Sequence, residues 1–183
     1  MNVHISKQYD QDLESLRSRM MQMGGLVESQ IRAAVSGFVD EDAAQLDAAI
    51  AADAKVNELE VAIDSELGEI IVRRQPAASD LRLILAVSKI VTDLERIGDE
   101  ATKVARRAQA IQAEHIAAKP SPVMVGRISE IALGMLRRAL DAVRSPRERR
   151  IACINHVAID HREARDPPHV SRPAPIDRPP GEG

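Results

Sequence analysis

Tryptophan is absent, and Tyr9 and Phe38 are the only aromatic residues in the 183-residue chain. That removes the base-stacking platforms on which single-stranded nucleic acid is bound and argues against an all-β sandwich, whose strands draw on aromatic and β-branched residues. Cysteine is nearly absent too. Cys153 stands alone, which excludes an internal disulfide framework and any zinc site built mainly from thiolates, and it fits a reducing cytoplasm. Charge of one sign is also missing: 25 basic and 28 acidic residues are interspersed for a net charge of −3, so no broad positive field exists to draw in a phosphate backbone, and nucleic acid is not an expected partner. No window approaches the ~18 uninterrupted apolar residues of a membrane span, so direct membrane insertion is not expected and any work at a membrane would run through a partner.

Catalytic signatures are equally scarce. There is no phosphate-binding GxxxxGK loop, no GxGxxG turn, no GxSxG elbow and no HExxH helix, and the bundle lacks the Glu-x-x-His pairs of a di-iron oxidase. Neither His4 nor His115, each near a helix end, has a ligand-like setting. The chain is therefore not expected to be an enzyme.

What the chain does contain is 44% hydrophobic residues, chiefly Ala, Leu, Ile, Val and Met, enough for a substantial helical core. From Leu83, alternate steps of four and three meet Val87, Ile90, Leu94, Ile97, Ala101, Val104, Ala108 and Ile111, a 3.5-residue repeat that predicts one long helix in a left-handed bundle. A similar line through Tyr9, Leu13, Leu16, Met20, Met23 and Val27 shifts register to Ile31, Ala34 and Phe38, with Gly24 and Gly25 as a weak point, and predicts a helix over 6–39. A second helix starts near Asp40 to Asp42, carries Leu46, Ala49, Val56, Leu59, Ile63 and Ile70 on its core side, and ends at Arg73 and Arg74 before Pro76. Ser79 or Asp80 is expected to cap the third helix, which runs to 117 or 118. After the break at Lys119, Pro120, Ser121 and Pro122, a fourth helix over 123–143 has Ile128, Ile131, Met135, Ala139 and Val143 on its apolar side.

Connections this short force antiparallel neighbours. The expected fold is all-α: an up-down-up three-helix bundle over 1–118, then over 119–144 a linker and the first helix of an incomplete second bundle. Residues 145–183 hold seven of the ten prolines, three of the five histidines and no lysine, so a disordered tail is expected there, with at most a short helix over 151–159.

Glu95 and Asp99 lie four residues apart, on one face of the third helix. Like charges at this spacing repel by a few tenths of a kcal/mol, roughly, so either a divalent cation or a basic side chain from a neighbouring helix should offset them. On the second helix Asp53 and Asn57 are likewise four apart, and Glu60 and Asp64 continue that polar line, which alone suits a solvated face opposite the core stripe.

The run Arg73-Arg74-Gln75-Pro76 through Asp80-Leu81-Arg82, then Lys89, then Thr92-Asp93-Leu94-Glu95-Arg96-Ile97-Gly98-Asp99-Glu100-Ala101, resembles the signature segment of the PhoU family, and Asp53, Val56, Asn57, Leu59, Glu60, Ile63 and Asp64 fit its second helix. The resemblance covers about residues 1–143. It implies a negative regulator of phosphate uptake and of the phosphate-starvation response, working in the cytoplasm as an adaptor between the phosphate ABC transporter and a sensor histidine kinase. It also implies two three-helix repeats per chain, each with a metal-binding carboxylate motif. The metal would be iron, zinc, magnesium or manganese, and its ligands here would be Glu95 and Asp99, with Asp93 nearby and Asp53 and Asn57 from helix two. The alternatives are a purely structural bundle or oligomerisation module without metal, and a metal-dependent hydrolase.

The sequence departs from the family after Arg144, where two further long helices should follow. An out-of-frame reading of a GC-rich gene would produce such an Arg- and Pro-rich run. A fourth helix without its bundle leaves an apolar stripe uncovered, so it is expected to pair with a second chain, giving a homo-oligomer, or to fold back on the first bundle.

Overall fold

The computed structural model describes residues 2–114 and 119–144, with side chains over 8–78, 80–114 and 119–143. These residues form α1 (Asn2–Val39), α2 (Ala43–Arg74), α3 (Ala78–Ala113) and α4 (Pro122–Arg144), with no strand among them. The expected tail, the short helix over 151–159, the third helix beyond 114 and His115 fall outside the described residues, as does the side chain of His4.

Local chemistry sets the helix ends. Asp42 is the N-cap of α2, its Oδ1 accepting from the N–H groups of Ala44 at 2.9 Å and Gln45 at 3.3 Å, while Glu41 turns the chain at φ 55°. Bonds from the Gln45 side chain and backbone hold the Asp42 carboxyl below the usual aspartate range. At the other end Arg73 and Arg74 occupy the last turn, and Gln75 takes a left-handed cap (φ 46°) with its N–H on the Ile71 carbonyl, just before Pro76. The start of α3 differs from expectation. Ala77, which offers no side-chain cap, is the capping residue, because its carbonyl already accepts from both Asp80 and Leu81 at 2.9 Å; Asp80 is thus carried into the first turn, where its charge suits the helix dipole.

In α1 to α3 the buried positions recur in alternating steps of three and four. The α1 line is Leu16, Met20, Met23, Val27, Gln30, Ala34 and Gly37; the α3 line is Ile84, Val87, Val91, Leu94, Gly98, Ala101, Ala105 and Ala108. In α2 the same spacing passes through Leu46, Ala49, Asp53, Val56, Glu60, Ile63, Leu67 and Ile70, where only the two acids are half-buried rather than buried. The bundle is up-down-up. Arg74 on α2 meets Asp12 near the start of α1 at 2.9 Å, while Gln112 near the end of α3 reaches Gly37 near the end of α1 at 3.1 Å.

Three sequence expectations change. The register of α1 does not shift after Val27: Gln30, 1% exposed, fills the core position where no apolar residue stands. In α3, Ile97 and Val104 are 37% and 43% exposed, and the core line passes one residue along, through Gly98 and Ala105. Those two face the neighbouring helices where only small residues fit: a Cβ on Gly98 would lie 3.0 Å from Gln30 Oε1 and 3.4 Å from Val56 Cγ1.

In α4 the packed face is Leu133, Leu136 and Leu140, whereas Ile128, Ile131 and Met135 are 60–61% exposed. The partner surface decides this. Gly24 opens a slot on α1 in which a Cβ would come within 2.7 Å of both Leu140 methyl carbons, and Arg137 pairs with Glu28 beside it. Gly24 therefore receives another helix, whereas Gly25 beside it meets none.

Gly25 and Gly98 test this packing. A Cβ on Gly25 meets nothing within 4 Å, so Gly25→Ala should gain about 0.5–1 kcal/mol from helix propensity. Gly98→Ala should lose about 1–3 kcal/mol net, because the Gln30 amide it crowds cannot withdraw without breaking its own bonds. Denaturant midpoints of the two variants check the opposite signs.

Candidate functional site

The polar residues at core positions of the bundle are not scattered. Gln30 Nε2 donates to the Ala49 carbonyl at 3.1 Å and to Thr102 Oγ1 at 2.8 Å, and Thr102 Oγ1 donates to Asp53 Oδ1 at 3.1 Å. Amide, hydroxyl and carboxylate thus form one chain across α1, α3 and α2. Gln30 Oε1 has no hydrogen-bond partner and faces Gly98.

Further along the α2–α3 pair, Glu60 takes the next polar core position. Its surroundings are acidic: the Glu60 carboxyl is pushed above the usual glutamate range by burial first, then by the charges of Glu95, Asp64 and Asp99. Lys103 senses Asp99 and Glu95, but its ammonium is bound to Glu100 at 2.9 Å.

The sequence-derived candidates therefore divide. Glu95 and Asp99 face Glu60 across the groove between α2 and α3. Asp93 does not join them; it lies on another side of α3 and pairs with Arg96 at 3.9 Å. Asp53 belongs to the buried network, and Asn57 is exposed beside the groove. Glu60 is the member that sequence reasoning left on a solvated face; Asp64, one turn along α2, is exposed as that reading expected. The available signal was the spacing of apolar residues in α2, where the steps from Ala49 to Val56 and from Val56 to Ile63 each pass over a core position filled by an acid.

Carboxylates brought near one another from two helices suit a hard cation, which prefers oxygen ligands. The donor chemistry fits, but the side chains do not already close a shell: among the described residues no three acidic, histidine or cysteine side chains converge on one ion position. Nor is any helix among them long and apolar enough to cross a membrane.

Comparison with known proteins supplies context for this groove. The PhoU domain family model matches residues 20–108, which takes in most of α1, all of α2 and α3 as far as Ala108. A phosphate-specific transport system accessory protein PhoU homolog from Pseudomonas putida is 47% identical over 139 residues, covering 76% of this chain and 54% of its own length. The corresponding Escherichia coli K12 protein is 41% identical over 143 residues, covering 78% of this chain and 58% of its own length. The chain thus spans between half and three fifths of these relatives. The crystal structure of PhoU from Pseudomonas aeruginosa superposes with a TM-score of 0.71 at 38% identity, covering 86% of this chain and 82% of that one.

The raised carboxyl of Glu60 has a definite sign. The folded protein holds that proton more tightly than the unfolded chain does, so stability falls as pH rises through the window just above the ordinary glutamate value. Glu60→Gln removes this dependence. Without divalent cations the variant should be more stable than the parent at neutral pH and indistinguishable from it at about pH 3, where both side chains are neutral. Thermal midpoints across that range are the check.

Proposed function

Because the chain belongs to the PhoU family, we propose that it regulates phosphate-specific transport, restraining phosphate uptake and the phosphate-starvation response. The role is regulatory rather than catalytic. In this reading it works on the cytoplasmic side, docking on the phosphate ABC transporter and relaying the transporter's state to a sensor histidine kinase. The names of its relatives, accessory proteins of phosphate-specific transport, support the transport half of that statement.

A bound cation completes the reading. Glu95 and Asp99 on α3, with Glu60 and Asp64 on α2, would hold a divalent or trivalent ion such as iron, zinc, magnesium or manganese. Bound there, the ion supplies positive charge and ties the two helices together. The single observation that carries this is at Glu60, whose carboxyl is pushed up by burial and then by the charges of Glu95 and Asp99 on α3 and of Asp64 one turn along α2, while Lys103, which senses the same α3 acids, is bound to Glu100. Such a cluster loses stability without a counterion and gains it with one.

Metal analysis and complementation test the two halves separately. The Glu95→Ala, Asp99→Ala variant should keep its helical circular dichroism and lose its bound metal; an unchanged metal stoichiometry discards the site. In a strain lacking its own regulator, the parent chain should restore repression of phosphate uptake and the variant should not.

A further inference from the structure

Polar side chains of α2 and α3 meet at three successive heights. Gln109 Nε2 donates to Asp47 Oδ1 at 2.7 Å, and Thr102 Oγ1 donates to Asp53 Oδ1 at 3.1 Å. Seven residues further along α2 and seven back along α3, Glu60 meets the charge of Glu95. The first two heights join a donor to an acid, whereas the third sets acid against acid. We propose that Thr102, with Gln30 behind it, is a positioning residue for a cation at the third height: it fixes α3 against α2 so that Glu95 and Asp99 stand opposite Glu60, and it does not touch the ion. The inference rests on the reading of that groove as a cation site, and it assigns Asp53 to the support rather than to the ligands.

The chemistry of the hydroxyl carries the argument. A threonine side chain has a single donor hydrogen and accepts through its oxygen. Here the hydrogen goes to Asp53 on α2 while the oxygen accepts from Gln30 on α1, so Thr102, 5% exposed, binds both other helices at once. Gln30 Nε2 also donates to the Ala49 carbonyl, one turn before Asp53. Sliding α3 by about 2 Å, little more than the rise of one residue, takes the bond to Asp53 past hydrogen-bonding distance. The same slide carries Glu95 and Asp99 away from Glu60, and ligand oxygens must lie about 2.0–2.6 Å from a hard cation. Thr102 is three residues from Asp99 and seven from Glu95, so its height is passed to both within two turns.

Asp53 belongs beneath the shell. It lies two turns from Glu60, about 10 Å along the axis of α2, and its Oδ1 already accepts from Thr102. Groups that orient ligands without touching the metal commonly set its affinity.

Manganese titrations of the full chain, read by the electron paramagnetic resonance of the free ion, test the proposal alongside circular dichroism. The parent should bind manganese. Thr102→Val keeps the volume and loses the hydroxyl, and it should weaken binding at least about tenfold at unchanged stoichiometry. Thr102→Ser keeps the hydroxyl and should stay within about threefold of the parent. Asp53→Asn still accepts from Thr102 and should stay within about threefold as well, whereas loss of a ligand's charge would weaken binding at least about tenfold. If Thr102→Val does not fold, Gln30→Leu replaces it and should weaken binding at least about threefold. A parent that binds manganese no more tightly than the folded variant lacking the hydroxyl or amide overturns the positioning role and leaves the cation site standing. So does an Asp53→Asn chain that binds as poorly as one without a ligand. A parent that binds no manganese sinks the cation reading and this inference with it.

Discussion

The side-chain amide of Gln30 lies where water cannot reach it, 1% exposed, and it finds the Ala49 carbonyl and the Thr102 hydroxyl only when α1, α2 and α3 stand at one set of relative heights. Sliding any of the three by a turn would strand a buried amide, at a cost of about 1–3 kcal/mol for the lost partner and more if Asp53 were also left unbonded. Apolar contacts alone, in a core of interchangeable Leu, Ile, Val and Met, would resist such a slip far less. Gly98 belongs to this constraint, because only a residue without a Cβ leaves space for the amide. The heights so fixed also set Glu60 against Glu95 and Asp99, so the candidate site depends on a residue that would never touch its ligand.

Helix α4 is held differently. Its ion pair with α1, Arg137 to Glu28, has side chains 52% and 23% exposed and is worth no more than about 1 kcal/mol. Burying Leu133, Leu136 and Leu140 contributes about 1.5–3 kcal/mol each as an upper estimate. The leucines therefore dock the helix and the ion pair selects the sliding position, aided by the slot at Gly24. A protein built this way can change what covers the outer face of α4 without disturbing the α2–α3 groove.

Much of this was legible in the chain. The helix spans, the cap at Asp42, the stop at Arg73, Arg74 and Pro76, and the paired spacing of Glu95 and Asp99 all follow from local rules, as did the family resemblance. The differences share one cause, that apolar residues alone do not mark this core. Gln30 was passed over and its gap became a register shift. Gly98 and Ala105, too small to register as hydrophobic signals, lost their places to Ile97 and Val104. Glu60, a carboxylate at a core position, was assigned to the solvent. In α4 two apolar stripes compete, and which one packs is decided by a glycine slot on α1 that no pattern within α4 can reveal.

Whether the repulsion at Glu60 marks a place made for a cation is answered most directly by anomalous diffraction from crystals grown with manganese. The expected result is a difference peak in the α2–α3 groove, in coordination contact with Glu60, Glu95 and Asp99, with the Gln30 network unchanged beneath it. A groove without a peak at saturating manganese, its carboxylates turned apart into solvent, would contradict the account.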